Sequence, residues 1–129
     1  MPIGAELEAA LRAFAQTERE IVTLGERLTP ETTTDFALLR RDLALCFARV
    51  GAALESDPFL KADAALLTQA TRLLSAFRTQ NAINQADWPV IRVRDDMAGY
   101  RQAVKQLVGR SDEFWQWIGQ ALDFDRRQV

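Results

Sequence analysis

Apolar residues recur at alternating spacings of three and four along almost the whole chain, and this periodicity constrains the fold more than any other feature. It is most regular in the C-terminal third, where the series runs through Val90, Val93, Met97, Tyr100, Val104, Leu107, Ser111, Phe114, Ile118 and Ala121. Residues at these spacings share one face of an α-helix, whereas a half-buried strand alternates apolar and polar residues. The pattern therefore predicts an all-α protein.

Short proline-containing segments divide the helical pattern into four parts. Because proline suits the first turn of a helix, Pro30 and Pro58 indicate where new helices begin. Short connections favour antiparallel neighbours, so we predict an up-down-up-down antiparallel four-helix bundle. We predict that residues 1–129 form a single helical-bundle domain. The predicted helices cover residues 4–28, 31–55, 58–84 and about 90–121.

The segment Gly109–Glu113 is the least certain part of the last predicted helix. A serine followed by two acids is typical of a new helix start. The apolar series nevertheless keeps its phase across this segment. We therefore predict one long C-terminal helix, either continuous or kinked near Gly109–Ser111.

Charge and cysteine content narrow the classes of function. The net charge of -2 offers no basic excess to neutralise nucleic-acid phosphates. No apolar run in the sequence approaches the length needed to span a bilayer, and the N-terminal residues lack the pattern of a secretory signal. Cys46 is the only cysteine, so no internal disulfide can form. We predict a cytoplasmic protein that binds neither nucleic acid nor membrane.

Histidine is absent from the sequence, and this absence removes much of the chemistry that helical bundles perform. Ferritin-like di-iron sites use Glu-x-x-His motifs, and common zinc sites and Ser-His-Asp triads also need imidazole. Glu18 and Asp63 fall on apolar stripes, where they either pair with arginines such as Arg49 or Arg72 or contact water where the stripe nears the surface of the bundle. We predict no catalytic residues, no metal site and no cofactor, and the interpretation leans away from an enzyme.

The segment TQNAINQADWPVIR, residues 79–92, has two interpretations. In the favoured one it is a helix-capping turn, with Asp87 as an N-cap and Trp88 folded over the end of the bundle. In the other, its amides and the arginines beyond it form a small polar ligand pocket. The residues of that pocket would be Asn81, Asn84, Trp88, Arg92 and Arg94.

The C-terminal stretch SDEFWQWIGQALDF, residues 111–124, is more apolar than one helix groove requires. The residues that widen its apolar face are Trp115, Trp117, Leu122 and Phe124. They either pack within the chain, with Trp115 against the first helix, or form a contact surface, where tryptophan is enriched. If they form a contact surface, the protein is a small interaction module. We predict that such a module self-associates as a homodimer or docks a protein partner.

A bundle that binds a small ligand is the alternative function. Its cavity would lie between helices and be lined by Glu18, Met97, Tyr100 and the amides of residues 80–85. Binding of a metal ion by core carboxylates is a less favoured form of this alternative, because carboxylates supply only oxygen ligands.

Overall fold

The computed structural model describes residues 2–129, and every regular element within that range is helical. The prediction of an all-α fold is therefore confirmed. None of the helices in residues 2–129 is long and apolar enough to cross a membrane. In chain order the α-helices are α1 (Ala5–Gly25), α2 (Thr33–Ser56), α3 (Pro58–Lys61), α4 (Ala64–Asp87), α5 (Val90–Asp95) and α6 (Met97–Leu122). Single 3-10 turns occur at Pro30–Thr32 and Arg126–Gln128.

The four long helices pack in chain order around a shared interior. α1 lies along α2, α2 contacts α4, and α4 lies along α6. Among the neighbouring pairs of long helices, α1 and α6 have the fewest close backbone approaches, and they meet mainly through side chains. The rings of Phe14 and Trp115, for example, have centroids 5.3 Å apart. This wider spacing leaves a cleft between α1 and α6.

Aromatic rings fill the main hydrophobic core. Phe14 on α1 lies 4.9 Å from Phe47 on α2, 5.5 Å from Phe77 on α4 and 5.9 Å from Phe114 on α6, measured between ring centroids. All four rings are essentially inaccessible to solvent. Because each long helix contributes one of them, burial of these rings is a major stabilising contribution to the whole assembly.

A second, smaller hydrophobic cluster closes one end of the molecule. Phe36, Trp88 and Val93 form its buried centre, and Tyr100 packs against them. The ring of Trp88 lies 5.8 Å from that of Tyr100, so Trp88 occupies the end position that the capping interpretation assigns to it. The main core and this end cluster are two separate groups of apolar residues.

The third predicted helix is divided into two. The side chain of Asp63 accepts hydrogen bonds from the backbone nitrogens of Ala65 at 3.1 Å and Leu66 at 3.3 Å. Asp63 is thus the exposed N-cap of α4, which agrees with the expected contact with water and not with pairing to an arginine. A carboxylate at this position satisfies backbone donors that the first helical turn leaves unpaired.

The last predicted helix is also divided, but at Asp96 rather than near Gly109. Oδ1 of Asp96 accepts a hydrogen bond from the backbone nitrogen of Gly99 at 2.9 Å, and its φ and ψ of -141° and 69° interrupt the helix. α6 then continues without a break through Gly109 and Ser111. Asp87 is the final residue of α4 and not an N-cap, because α5 begins only after the extended Pro89.

Candidate functional site

A cleft with a volume of about 800 Å³ lies between α1 and α6. That volume lies in the range typical of pockets for small organic ligands. Apolar side chains from α1 and α6 form its walls, and residues of α2 and α4 form its floor. The wall residues include Ala15, Ile21, Val22, Val104, Leu107 and Val108, and the floor residues are Arg40, Leu43, Phe77, Asn81, Asn84 and Gln85.

The floor of the cleft contains buried polar groups. Arg40 is only 8% exposed, and Asn81 and Asn84 are 6% and 5% exposed. Nη1 of Arg40 donates a 2.6 Å hydrogen bond to the carbonyl oxygen of Trp88. Within residues 2–129, Nη2 of Arg40 and Nε2 of Gln85 are buried and have no hydrogen-bond partner. We call these two nitrogens the floor donors.

Arg40 also carries a charge that no side chain in residues 2–129 neutralises, because none of their carboxylates lies within ion-pairing distance of it. Burial lowers the pKa of Arg40, and the nearby Tyr100 opposes this effect. Arginine nonetheless remains protonated in proteins. The carbonyl of Trp88 and the Phe36 ring, whose centroid lies 4.8 Å from Cζ of Arg40, stabilise this charge in part, and an anion in the cleft would stabilise it further.

Glu18 lies toward the opposite end of the cleft, and its side chain is 15% exposed. Its Oε1 accepts a 2.9 Å hydrogen bond from Nε1 of Trp115 and pairs with Arg126 at 3.3 Å, while Ser111 donates to Oε2. Burial raises the pKa of Glu18, although the bond from Ser111 and the charge of Arg126 act against this. The carboxylate therefore ties α1 to α6 and to the C-terminal turn.

These contacts correct the partners expected for Glu18. Neither Arg49 nor Arg72 is its partner, because the C-terminal turn folds back over α1 and brings Arg126 to it. Arg19 helps to hold this turn by donating to the carbonyl oxygen of Arg126 at 3.0 Å. In residues 2–129, no group of three or more acidic, histidine or cysteine side chains is arranged to hold a metal ion.

The structure divides the residues of the predicted polar pocket into two sets. Asn81 and Asn84 line the cleft. Trp88, Arg92 and Arg94 do not line it: Trp88 lies in the end cluster, and the guanidinium of Arg92 stacks 3.9 Å from the Trp88 ring centroid. Arg94 pairs with Asp95 at 2.9 Å. Both arginines belong to α5, which begins only after Pro89 and contributes no residue to the cleft.

The cavity of the alternative prediction overlaps the cleft more closely. Glu18, Tyr100 and the amide of Gln85 line it, whereas Met97 packs in the end cluster. Arg40 was missed by the sequence interpretation. A signal for it exists, because Arg40 lies four positions after Phe36 and three before Leu43, on the buried stripe of α2.

The predicted interaction residues lie largely inside the molecule. Trp115, Leu122 and Phe124 are buried in the main core, and Trp117 is half-buried against it. The ring of Trp115 stacks on Phe124 with centroids 6.1 Å apart and bonds to Glu18 on α1. Most of the excess apolar surface of residues 111–124 is therefore used in packing this chain.

Comparison with known proteins found no match to a protein family, to a curated protein or to a solved structure. The cleft is therefore the basis for any inference about function. Its geometry is suited to binding: apolar walls can enclose a ligand body, and the buried floor donors can orient a polar group.

Proposed function

We propose that the protein binds a small organic molecule in the cleft between α1 and α6. The observation that carries this proposal is the polar floor at the base of an apolar-walled cleft. Buried polar groups destabilise a fold when they lack partners, and the floor donors lack them among residues 2–129. A ligand that supplies acceptor atoms would satisfy these donors while its body fills the space between the helices.

A cleft-filling variant tests this proposal. Val104 lies on the wall of the cleft, so Val104→Trp should occupy the ligand space. Gln102→Trp is the matched control, since Gln102 is exposed on the same helix. Native mass spectrometry of the freshly purified protein and thermal-shift screening of small organic acids and neutral compounds would detect ligands. We expect ligand-dependent stabilisation in the wild type and Gln102→Trp, and its loss in Val104→Trp.

Two outcomes would overturn the proposal. One is the failure of every compound to bind the wild-type protein. The other is equal binding to the wild type and to a Val104→Trp variant whose circular-dichroism spectrum shows that it is folded.

We also propose the up-down-up-down arrangement of the four long helices. Pairings between α1 and α6 support it, because Glu18 bonds to Ser111 whereas Gly25, later in α1, lies near Tyr100, earlier in α6. Spin labels on Arg12 and Gln116 should therefore be closer together than labels on Arg12 and Gln102. The opposite order would indicate parallel helices.

Docking of a protein partner or self-association is a second proposal. Trp117 keeps part of its surface accessible on α6, and tryptophan is a frequent anchor at interfaces. Light scattering after size-exclusion chromatography should show a dimer that Trp117→Ala weakens. A monomer at all concentrations, together with no partner recovered by cross-linking in native cells, would remove this proposal.

The proposed location is the cytoplasm. Cys46 is the only cysteine in the sequence, and disulfide-free proteins suit a reducing compartment. Fractionation of native cells, followed by immunodetection, tests this location directly. Recovery in a secreted or membrane fraction would contradict it.

A further inference from the structure

The chemistry of the cleft floor defines the ligand more narrowly, provided that the proposed small-molecule function is correct. We infer that the ligand is an amphipathic monocarboxylic acid. Its carboxylate binds the floor donors on Arg40 and Gln85, and its apolar body lies between α1 and α6.

The polar group of the ligand must be an acceptor, and the charge of Arg40 makes an anion the best acceptor. Nη2 of Arg40 can only donate a hydrogen bond, and the amide of Gln85 can donate beside it through Nε2. Guanidinium and carboxylate groups form short, charge-assisted hydrogen bonds. Nη1 of Arg40 is already used by the carbonyl oxygen of Trp88, which leaves Nη2 for the ligand. Asn81, Asn84 and Gln85 share one face of α4, so further amide groups line the same floor.

The floor of the cleft matches a ligand that carries a single negative charge. Arg40 is the only arginine among the cleft residues that is buried, whereas the other five lie half-buried or exposed around the opening. Two of those five, Arg126 and Arg127, are already paired with carboxylates, so Arg40 is the buried positive charge that a ligand would meet. The floor of the cleft therefore accommodates one negative charge.

The apolar walls define the rest of the ligand. Ile21, Val104 and Leu107 face the same cleft as the floor residues Leu43 and Phe77. Along α6, Tyr100 at the Arg40 end and Ser111 at the Glu18 end are separated by about 16 Å at the helical rise per residue. At the far end, Arg126 is already paired with Glu18 and Asp112, so it is not free to pair with a second ligand carboxylate. A monocarboxylic acid with an extended apolar body therefore fits better than a dicarboxylic acid.

The test compares acids with neutral compounds of the same shape. The probes are decanoate and decanol, which have a flexible body, and naphthoate and naphthalenemethanol, which have a planar one. Calorimetry on the wild type should show at least one acid binding about 10-fold or more tightly than its alcohol. That preference should disappear in Arg40→Met and persist in Arg41→Met, a control at the neighbouring exposed position. Sebacate, a dicarboxylate with a body similar to that of decanoate, should bind more weakly than decanoate.

The outcomes separate this inference from the proposed function. Equal binding of acids and alcohols to the wild type, or an acid preference that survives in folded Arg40→Met, would overturn the carboxylate inference and leave cleft binding intact. If sebacate binds as tightly as decanoate, the inference that the ligand carries only one carboxylate is overturned. If no probe binds the wild type, or if Val104→Trp binds them equally well, both the inference and the proposed function fail.

Discussion

Glu18 on α1 and Trp115 on α6 are joined by a 2.9 Å hydrogen bond from the indole Nε1 to the carboxylate Oε1. Arg126 adds an ion pair to the same oxygen at 3.3 Å. This bond links the two helices that flank the cleft, whose backbones are otherwise well separated. Glu18 therefore stabilises one end of the cleft, while Arg40 lies toward the other.

The stability of the protein should depend on the ionisation of Glu18. Burial raises the pKa of Glu18 above its ordinary 4.5, so the folded protein holds this proton more tightly than the unfolded chain does. Its contribution to the free energy of unfolding is therefore greatest below that ordinary pKa. The contribution falls as the pH rises through the raised pKa of the folded state.

Glu18→Gln cannot ionise at this position. We expect it to gain stability relative to the wild type as the pH rises from about 4 to about 7. Urea unfolding across this range measures the difference, and Glu55→Gln on the exposed surface of α2 controls for the loss of one negative charge. A steady loss of stability relative to the wild type over the same range would contradict the expectation.

Arg40→Met should stabilise the ligand-free protein. Replacing buried ion pairs by apolar side chains of similar volume is often neutral or stabilising, by about 1–4 kcal/mol, and the same desolvation argument applies to Arg40, which has no carboxylate partner. The lost hydrogen bond to the carbonyl of Trp88 costs about 1 kcal/mol. We therefore expect a net gain of about 1 kcal/mol in the free energy of unfolding, measured with urea. Arg41→Met, at an exposed position, should change it by less than about 0.5 kcal/mol. A large destabilisation by Arg40→Met would mean that the Arg40 charge is well compensated in the folded chain.

Asp57→Ala should be more damaging than Asp63→Ala, although both residues are N-caps. The buried Asp57 carboxylate accepts from the backbone nitrogens of Phe59, Leu60 and Gly4, the last at 2.7 Å. Asp63 is exposed and caps only α4. We expect losses of about 2–4 kcal/mol and about 1 kcal/mol, respectively. Chemical denaturation measures both, and equal losses would show that the bond to Gly4 contributes little.

Two glycines on α6 should respond in opposite ways to alanine. A Cβ at Gly99 would meet Cη2 of Trp88 at 2.8 Å and would crowd Oδ2 of Asp96, the N-cap of the helix. A Cβ at Gly109 would meet nothing within 4 Å. We expect Gly109→Ala to raise the free energy of unfolding by about 1 kcal/mol, because alanine is the better helix former. Gly99→Ala should lower it, because these close contacts outweigh any gain in helix propensity in the first turn of α6. Matching thermal shifts for the two variants would argue against close packing at Gly99.

The sequence predicted the helical regions well and their interruptions poorly. Pro58 was identified as a helix start because proline suits a first helical turn, which is a local signal, and Asp57 before it is the N-cap. Asp63 and Asp96 also cap helices, yet each lies within a continuous apolar series that predicted one longer helix. A break that keeps the apolar phase leaves no trace in the periodicity, since the residues on either side still face the interior.

What the sequence by itself determined is which side of each helix is buried. This property is local, because a helix places residues three and four positions apart on one face whatever packs against it. Only the tertiary structure decided that α1 and α6 lie apart, that Arg126 reaches Glu18, and that Arg40 and Gln85 share the floor of a cleft. Those relationships join residues far apart in the chain, and they depend on how the helices are spaced once all their buried faces pack together.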